Sequence, residues 1–178
     1  NVSKAVLLSE KYRKVWYKMA EFHYDKVKDP VFFKENVLPA HAEAVLYRNR
    51  EEFCRGKSSL RMPLDGIWKF SYAVNQALAP AGFEKESFDC TCWESIHVPA
   101  HIQMEGYDVP QYANVQYPWD GREELVPGEI PVRFNPTASY VKYFEVPQEM
   151  QGKEIRISFQ GVESGMALWL NGSYVGYS

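Results

Sequence analysis

A chain of 178 residues suits one domain with a sizeable core, about two-thirds of the unfolded surface being buried at this size. Lys plus Arg is 20 and Asp plus Glu is 23, a net charge of −3, so no basic excess exists to neutralise a phosphate backbone and nucleic acid is excluded as a main partner. No apolar run reaches the roughly 20 residues of a membrane span, and the first ten residues lack the pattern of a signal peptide, although the chain does not begin with Met.

In chain order, residues 4–27 contain no Gly or Pro, and Leu8, Tyr12, Val15, Trp16, Met19 and Phe22 recur at steps of three and four. That spacing predicts an amphipathic helix with Ser3 as its N-cap, either a docking helix or one lying on its own domain. Asp29-Pro30 ends it. Residues 30–62 read as an ordered lead-in of coil and short turns. After the turn at Leu64-Asp65-Gly66, Trp68, Phe70, Tyr72 and Val74 alternate with Lys69 and Ser71, the period of a half-buried strand. Residues 77–87 read as loop, and residues 93–98 as a short strand closed by Pro99.

Residues 105–136 hold Gly106, Pro110, Pro118, Gly121, Pro127, Gly128, Pro131 and Pro136, breakers that leave little room for regular structure. A loop of this length usually carries function. Strands are then expected at 140–146, at 154–159 with Ile155, Ile157 and Phe159 on one face, and at 166–170. Asn171-Gly172 fits a tight hairpin turn, whose central positions both need positive φ, before a return strand at 174–177. The pattern is that of an antiparallel sandwich of the jelly-roll kind. The chain stops just after its return strand starts, so the sandwich is expected to be truncated at its C-terminus, with an open edge that pairs with another chain or frays. The expected organisation is a helix over 1–28, a lead-in over 29–62 and an incomplete jelly roll over 63–178.

Three cysteines, Cys54, Cys90 and Cys92, do not make a disulfide framework. Cys90 and Cys92 are expected on one face of a strand, a weak metal site without further ligands. Reduced thiols imply a reducing, cytoplasmic compartment. Asn114 could be a turn residue, since Asn tolerates left-handed φ. Trp119 and Tyr117 could stack on a ligand or simply pack the loop. Asp108 and Glu163 are loop carboxylates with no cleft to make them a hydrolytic pair.

Two segments carry a resemblance. Residues 98–118 follow the pattern VP-x-H-x-Q-x-x-GYD-x-P-x-Y-x-NV-x-YP, and residues 159–177 follow F-x-GV-x-S…W-x-NG…VGY. Here the chain resembles the N-terminal jelly-roll domain, galactose-binding-like in fold, of the β-galactosidases of glycoside hydrolase family 2. Asp65 through Phe70, Asn135-Pro136-Thr137 and the lead-in from Asp29-Pro30 to His41 fit as well, so the resemblance covers roughly residues 29–178.

The resemblance implies a parent enzyme that hydrolyses terminal β-galactosides with retention, using two Glu about 5 Å apart in a downstream TIM barrel. No catalytic residue falls in this fragment. It also implies that Asn114, with Val115 beside it, reaches the galactose site, an amide offering donors and an acceptor to a sugar hydroxyl. His101 and Gln103 are expected to support that loop from behind, together with Tyr107, Asp108, Tyr112 and Tyr117. No cofactor is expected in the fragment itself, although the parent family commonly uses Mg and Na ions. The implied partners are a β-galactoside, the chain's own barrel and other subunits of a homo-oligomer. The alternatives are a freestanding carbohydrate-binding module and the equivalent domain of a β-glucuronidase or β-mannosidase.

Overall fold

The strand Gly66–Ala73 shows how the sequence builds the core. Its alternation sends Trp68 and Phe70 inward, where they are 2% and 1% exposed, and Ile67 outward. The computed structural model of the protein describes residues 2–8, 21–110, 114 and 118–178. In chain order its elements are β1 (Val2–Leu8), the short helix α1 (Arg50–Arg55), β2 (Gly66–Ala73), β3 (Glu94–Val98), β4 (Thr137–Phe144), β5 (Met166–Leu170) and β6 (Ser173–Tyr177). The strands form one sheet in the order β3-β2-β4-β1-β5-β6. The all-β reading holds, and the sheet fits one layer of a β-sandwich.

Both faces of the sheet carry buried side chains. On one, Trp68, Phe70, Ile96, Ala138, Tyr140 and Leu168 form the main core, and Leu64, Ile102, Tyr107 and Phe159 from outside the sheet pack against it. Trp68 Nε1 donates to the Leu64 carbonyl at 2.8 Å, satisfying the one polar atom of that ring. On the other face Phe83, Cys90 and Val141 pack with Phe88, Trp93 and Trp169, so the 83–93 loop covers it. Asn171 and Gly172 turn β5 into β6 with φ of 48° and 76°, the positive pair the hairpin requires.

The outer edge of β6 is covered. Glu35 exchanges backbone hydrogen bonds with Tyr177 at 2.8 and 3.0 Å, and Asn36 Nδ2 donates to the Val175 carbonyl. Glu35 also accepts from Lys26 at 3.2 Å and from the Tyr174 hydroxyl at 2.8 Å. Phe22 packs on Trp169, Tyr174 and Tyr177, and Phe32 stacks on Tyr177 at 5.1 Å. The lead-in is therefore an edge cover, one of the devices that keep sheets from pairing with other chains.

Several elements differ from the sequence reading. The helix expected over 4–27 is replaced at its start by β1, which lies in the middle of the sheet, parallel to β4 and β5. Short apolar runs fit either period, and a ladder on both sides outweighs a weak helical preference. Residues 21–23 are coil and Tyr24–Lys28 a single 3-10 turn. Residues 9–20, with Tyr12, Val15, Trp16 and Met19 of the expected stripe, lie outside the described residues. The lead-in holds α1, started by Asn49 Oδ1 accepting from the Glu52 amide and ended by Gly56 at φ 65°.

No strand forms at 154–159. Ile155 and Ile157 are exposed, Phe159 alone of the three reaches the core, and β1 holds the position between β4 and β5. Gln160 and Ser158 instead donate to Glu43. Cys90 and Cys92 do not share a strand face: Asp89 accepts from the Thr91 amide and turns the chain, leaving Cys90 buried and Cys92 exposed. All three cysteines are free thiols.

Candidate functional site

The 105–136 loop leaves and rejoins the sheet beside β2. On the departing arm a 3-10 turn, Ile102–Glu105, ends at Gly106 with φ 91°. Tyr107 then lays its ring on Phe70, centroids 4.5 Å apart, and near Tyr72 at 6.4 Å. Its hydroxyl donates to Glu94 on β3. That bond, followed by burial, pushes the Tyr107 phenol up. Asp108, at φ 61°, hydrogen-bonds Tyr72. Burial first, and the Asp108 charge second, push the Tyr72 phenol up to about 12, with Arg122 opposing.

The returning arm is fixed by Glu123. Its carboxylate accepts from the amides of Val132, Arg133 and Phe134 at 3.1, 2.9 and 3.0 Å. These bonds, Phe134 foremost, hold the carboxyl below its ordinary value. The Arg122 guanidinium lies 4.3 Å over the Phe134 ring. Asn75 Nδ2 donates to the Arg133 carbonyl, and the Asn135 amide donates to that of Val74. The departing arm is thus tied to β2 by the side chains of Tyr107 and Asp108, and the returning arm to Val74 and Asn75, just past the end of β2, by backbone and side chain.

Asn114 stands in a turn between these arms and is exposed. Val115, Tyr112 and Tyr117 lie outside the described residues. Tyr107 and Asp108 act as anchors. His101 is exposed at the start of the 3-10 turn, where its carbonyl accepts from the Met104 amide. Neither its ring nor the Gln103 amide hydrogen-bonds a described residue. Trp119, at φ 71°, is partly exposed. Sequence reading missed Glu123, Arg122 and Tyr72, because no local pattern marks a carboxylate that clamps amides nine to eleven positions away.

A cavity of about 660 Å³ lies elsewhere, lined by Phe22, Phe83, Glu84, Ser139, Trp169 and Tyr174 among others. Ser139 lies on the face of β4 opposite Ala138 and Tyr140, so the cavity and the Tyr107 anchor occupy opposite sides of the sheet. Among the described residues no three His, Cys, Asp or Glu stand together as a metal ligand set. No helix among them is long and apolar enough to cross a membrane.

A sheet that holds a long, doubly anchored polar loop away from its core is the build of a binding domain. The family described as "Glycosyl hydrolases family 2, sugar binding domain" matches residues 60–178, and the chain belongs to that family. It is 49% identical over 153 residues to a β-galactosidase of Halalkalibacterium halodurans, covering 85% of this chain and 15% of the relative. A β-galactosidase of Lactobacillus delbrueckii subsp. bulgaricus is 42% identical over 149 residues, 84% of this chain and 15% of the relative. A β-galactosidase large subunit of Leuconostoc lactis is 37% identical over 162 residues, 84% of this chain and 26% of the relative. The chain spans about a quarter or less of the length of these relatives.

Proposed function

We propose that this chain is the non-catalytic, sugar-facing domain of a cytoplasmic retaining β-galactosidase, and that its 105–136 loop lends Asn114 to a galactoside pocket formed with a TIM barrel of the same protein. The observation that carries the reading is Asn114 itself, exposed between two arms tied to β2 and to the residues just past it. The named β-galactosidases that match along most of this chain support that substrate class.

The division of labour follows from the chemistry. Retaining hydrolysis needs two Glu about 5 Å apart, one as acid/base and one as nucleophile. A barrel to hold them takes about 250 residues of alternating strand and helix, an alternation this sequence lacks, so the chain alone is inactive. Asn114 donates through Nδ2 and accepts through Oδ1, fixing a sugar hydroxyl without adding a charge that would disturb the two Glu. Val115 stands beside it as the second substrate-binding residue. Mg and Na ions, commonly used by such enzymes, find no clustered carboxylate or imidazole set among the described residues, and no step here runs through them. Other subunits of a homo-oligomer complete the list of partners.

The test is Asn114→Ala in the full-length gene product. Loss of one hydrogen bond to a sugar hydroxyl is expected to lower kcat/KM by about 10- to 100-fold, with the melting temperature unchanged because the side chain is exposed. Unchanged kcat/KM would overturn the role of Asn114. Calorimetric titration of lactose into the 178-residue chain is expected to give no binding heat, one loop amide burying too little of a sugar; clear affinity would favour the freestanding binding module.

A further inference from the structure

We propose that Glu123 is a positioning residue for the sugar site: by clamping the returning arm it sets where Asn114 stands, without touching the substrate itself. This inference rests on the assignment of Asn114 to a galactoside pocket. The Glu123 carboxylate gathers three successive amides, those of Val132, Arg133 and Phe134, at 3.1, 2.9 and 3.0 Å. Its neighbour Arg122 links the two arms. The Arg122 guanidinium lies 4.3 Å over the Phe134 ring, and its charge acts on the Tyr72 phenol, which hydrogen-bonds Asp108 on the departing arm. Other acids of the loop are placed differently: Glu129 lies 3.6 Å from Lys28 on the lead-in, and Glu124 is exposed.

The clamp matters because of where it falls along the loop. Asn114 lies six positions after Asp108 and nine before Glu123. At ~3.4 Å a residue, chains of those lengths reach up to ~20 and ~30 Å, so two fixed ends confine the residue between them. With the carboxylate removed, the returning arm is next held at Arg133, whose carbonyl accepts from Asn75. Arg133 lies nineteen positions after Asn114, a reach of up to ~65 Å. Glu123 thus takes the 124–132 stretch out of the span. The effective concentration of a tethered group falls as about the −3/2 power of tether length, so opening the span from 15 to 25 positions costs about twofold. Direction adds more. A hydrogen bond to a sugar hydroxyl weakens steeply off its axis, and a displacement of about 1 Å can cost on the order of 100-fold in rate.

The experiment uses the full-length gene product and a nitrophenyl β-galactoside, with kcat/KM measured for Glu123→Ala, Asn114→Ala and the two together. Glu123→Ala is expected to lower kcat/KM about tenfold, more than span alone gives and no more than Asn114→Ala. Made on top of Asn114→Ala it is expected to cost less than about twofold, because the group it positions is already gone. Glu123→Gln keeps a carbonyl oxygen where Oε1 accepts from Arg133 and Phe134, so its loss is expected to be smaller. If Glu123→Ala does not fold, the same cycle with Glu123→Gln decides. Glu124→Gln removes the same charge from the loop and is expected to leave kcat/KM unchanged. Unchanged kcat/KM in both Glu123 variants, the same loss with and without Asn114, or an equal loss in Glu124→Gln would each overturn the inference while Asn114→Ala still showed its own loss. No loss in Asn114→Ala would overturn the reading of the site, and the positioning role with it.

Discussion

Phe70 joins the core to the loop, and truncating it tests both. Its side chain is 1% exposed, and its ring centroid lies 4.9 Å from Tyr140 and 4.5 Å from Tyr107. Phe70→Ala removes a fully buried ring and leaves a cavity, expected to destabilise the chain by about 3–5 kcal/mol, a large share of the ~5–15 kcal/mol of a typical domain. Phe70→Leu keeps most of the apolar volume and loses the two ring contacts, about 0.5–1.5 kcal/mol each. The assay is urea unfolding followed by tryptophan fluorescence, with the slope unchanged and the midpoint lowered. A double-mutant cycle with Tyr107→Leu is expected to return a coupling of about 0.5–1.5 kcal/mol, because those rings touch. A Phe70→Ala effect below about 1 kcal/mol, or zero coupling to Tyr107, would refute the reasoning that this ring anchors the departing arm.

Two further outcomes are expected. Gly176→Ala would place a Cβ 2.5 Å from the Glu35 carbonyl oxygen, so the edge cover must shift. A loss of about 1–3 kcal/mol in thermal or urea unfolding is expected, and an unchanged midpoint would mean that the lead-in does not press on β6. Stability should also fall at alkaline pH. Burial pushes the Tyr140 phenol up to about 12, and burial with Asp108 does the same for Tyr72. The unfolded phenol ionises near 10 while the folded one stays protonated. Their contribution is therefore complete below about pH 10 and is lost as pH rises toward 12, on the order of 2 kcal/mol from Tyr140. Urea midpoints that stay flat from pH 9 to 12 would contradict that burial.

Much of this fold was written locally. The alternation from Trp68 to Tyr72 announced β2, and Asn171-Gly172 announced the β5–β6 turn because only a few residue types accept two successive positive φ values. The breakers between Gly106 and Pro136 announced a long loop. What escaped depended on distant partners. Val2–Leu8 became a strand because β4 and β5 left room for one. Ile155 and Ile157 kept their alternation and found no ladder to join. Asn49 capped a helix that no apolar stripe had signalled, since α1 buries no residue. At the candidate site the motif singled out Asn114, Tyr107 and Asp108, whereas Glu123 and Arg122 matter through groups that only folding brings within reach.

In the proposed division of labour the sheet carries a loop toward a sugar, and two glutamates on another domain cleave the bond. The direct measurement is release of chromophore from a β-galactoside by the purified 178-residue chain, beside the full-length gene product at equal molarity. The expected result is no release above buffer from the chain and rapid release from the full-length protein. Release that co-elutes with the folded chain and disappears on its unfolding would contradict the account.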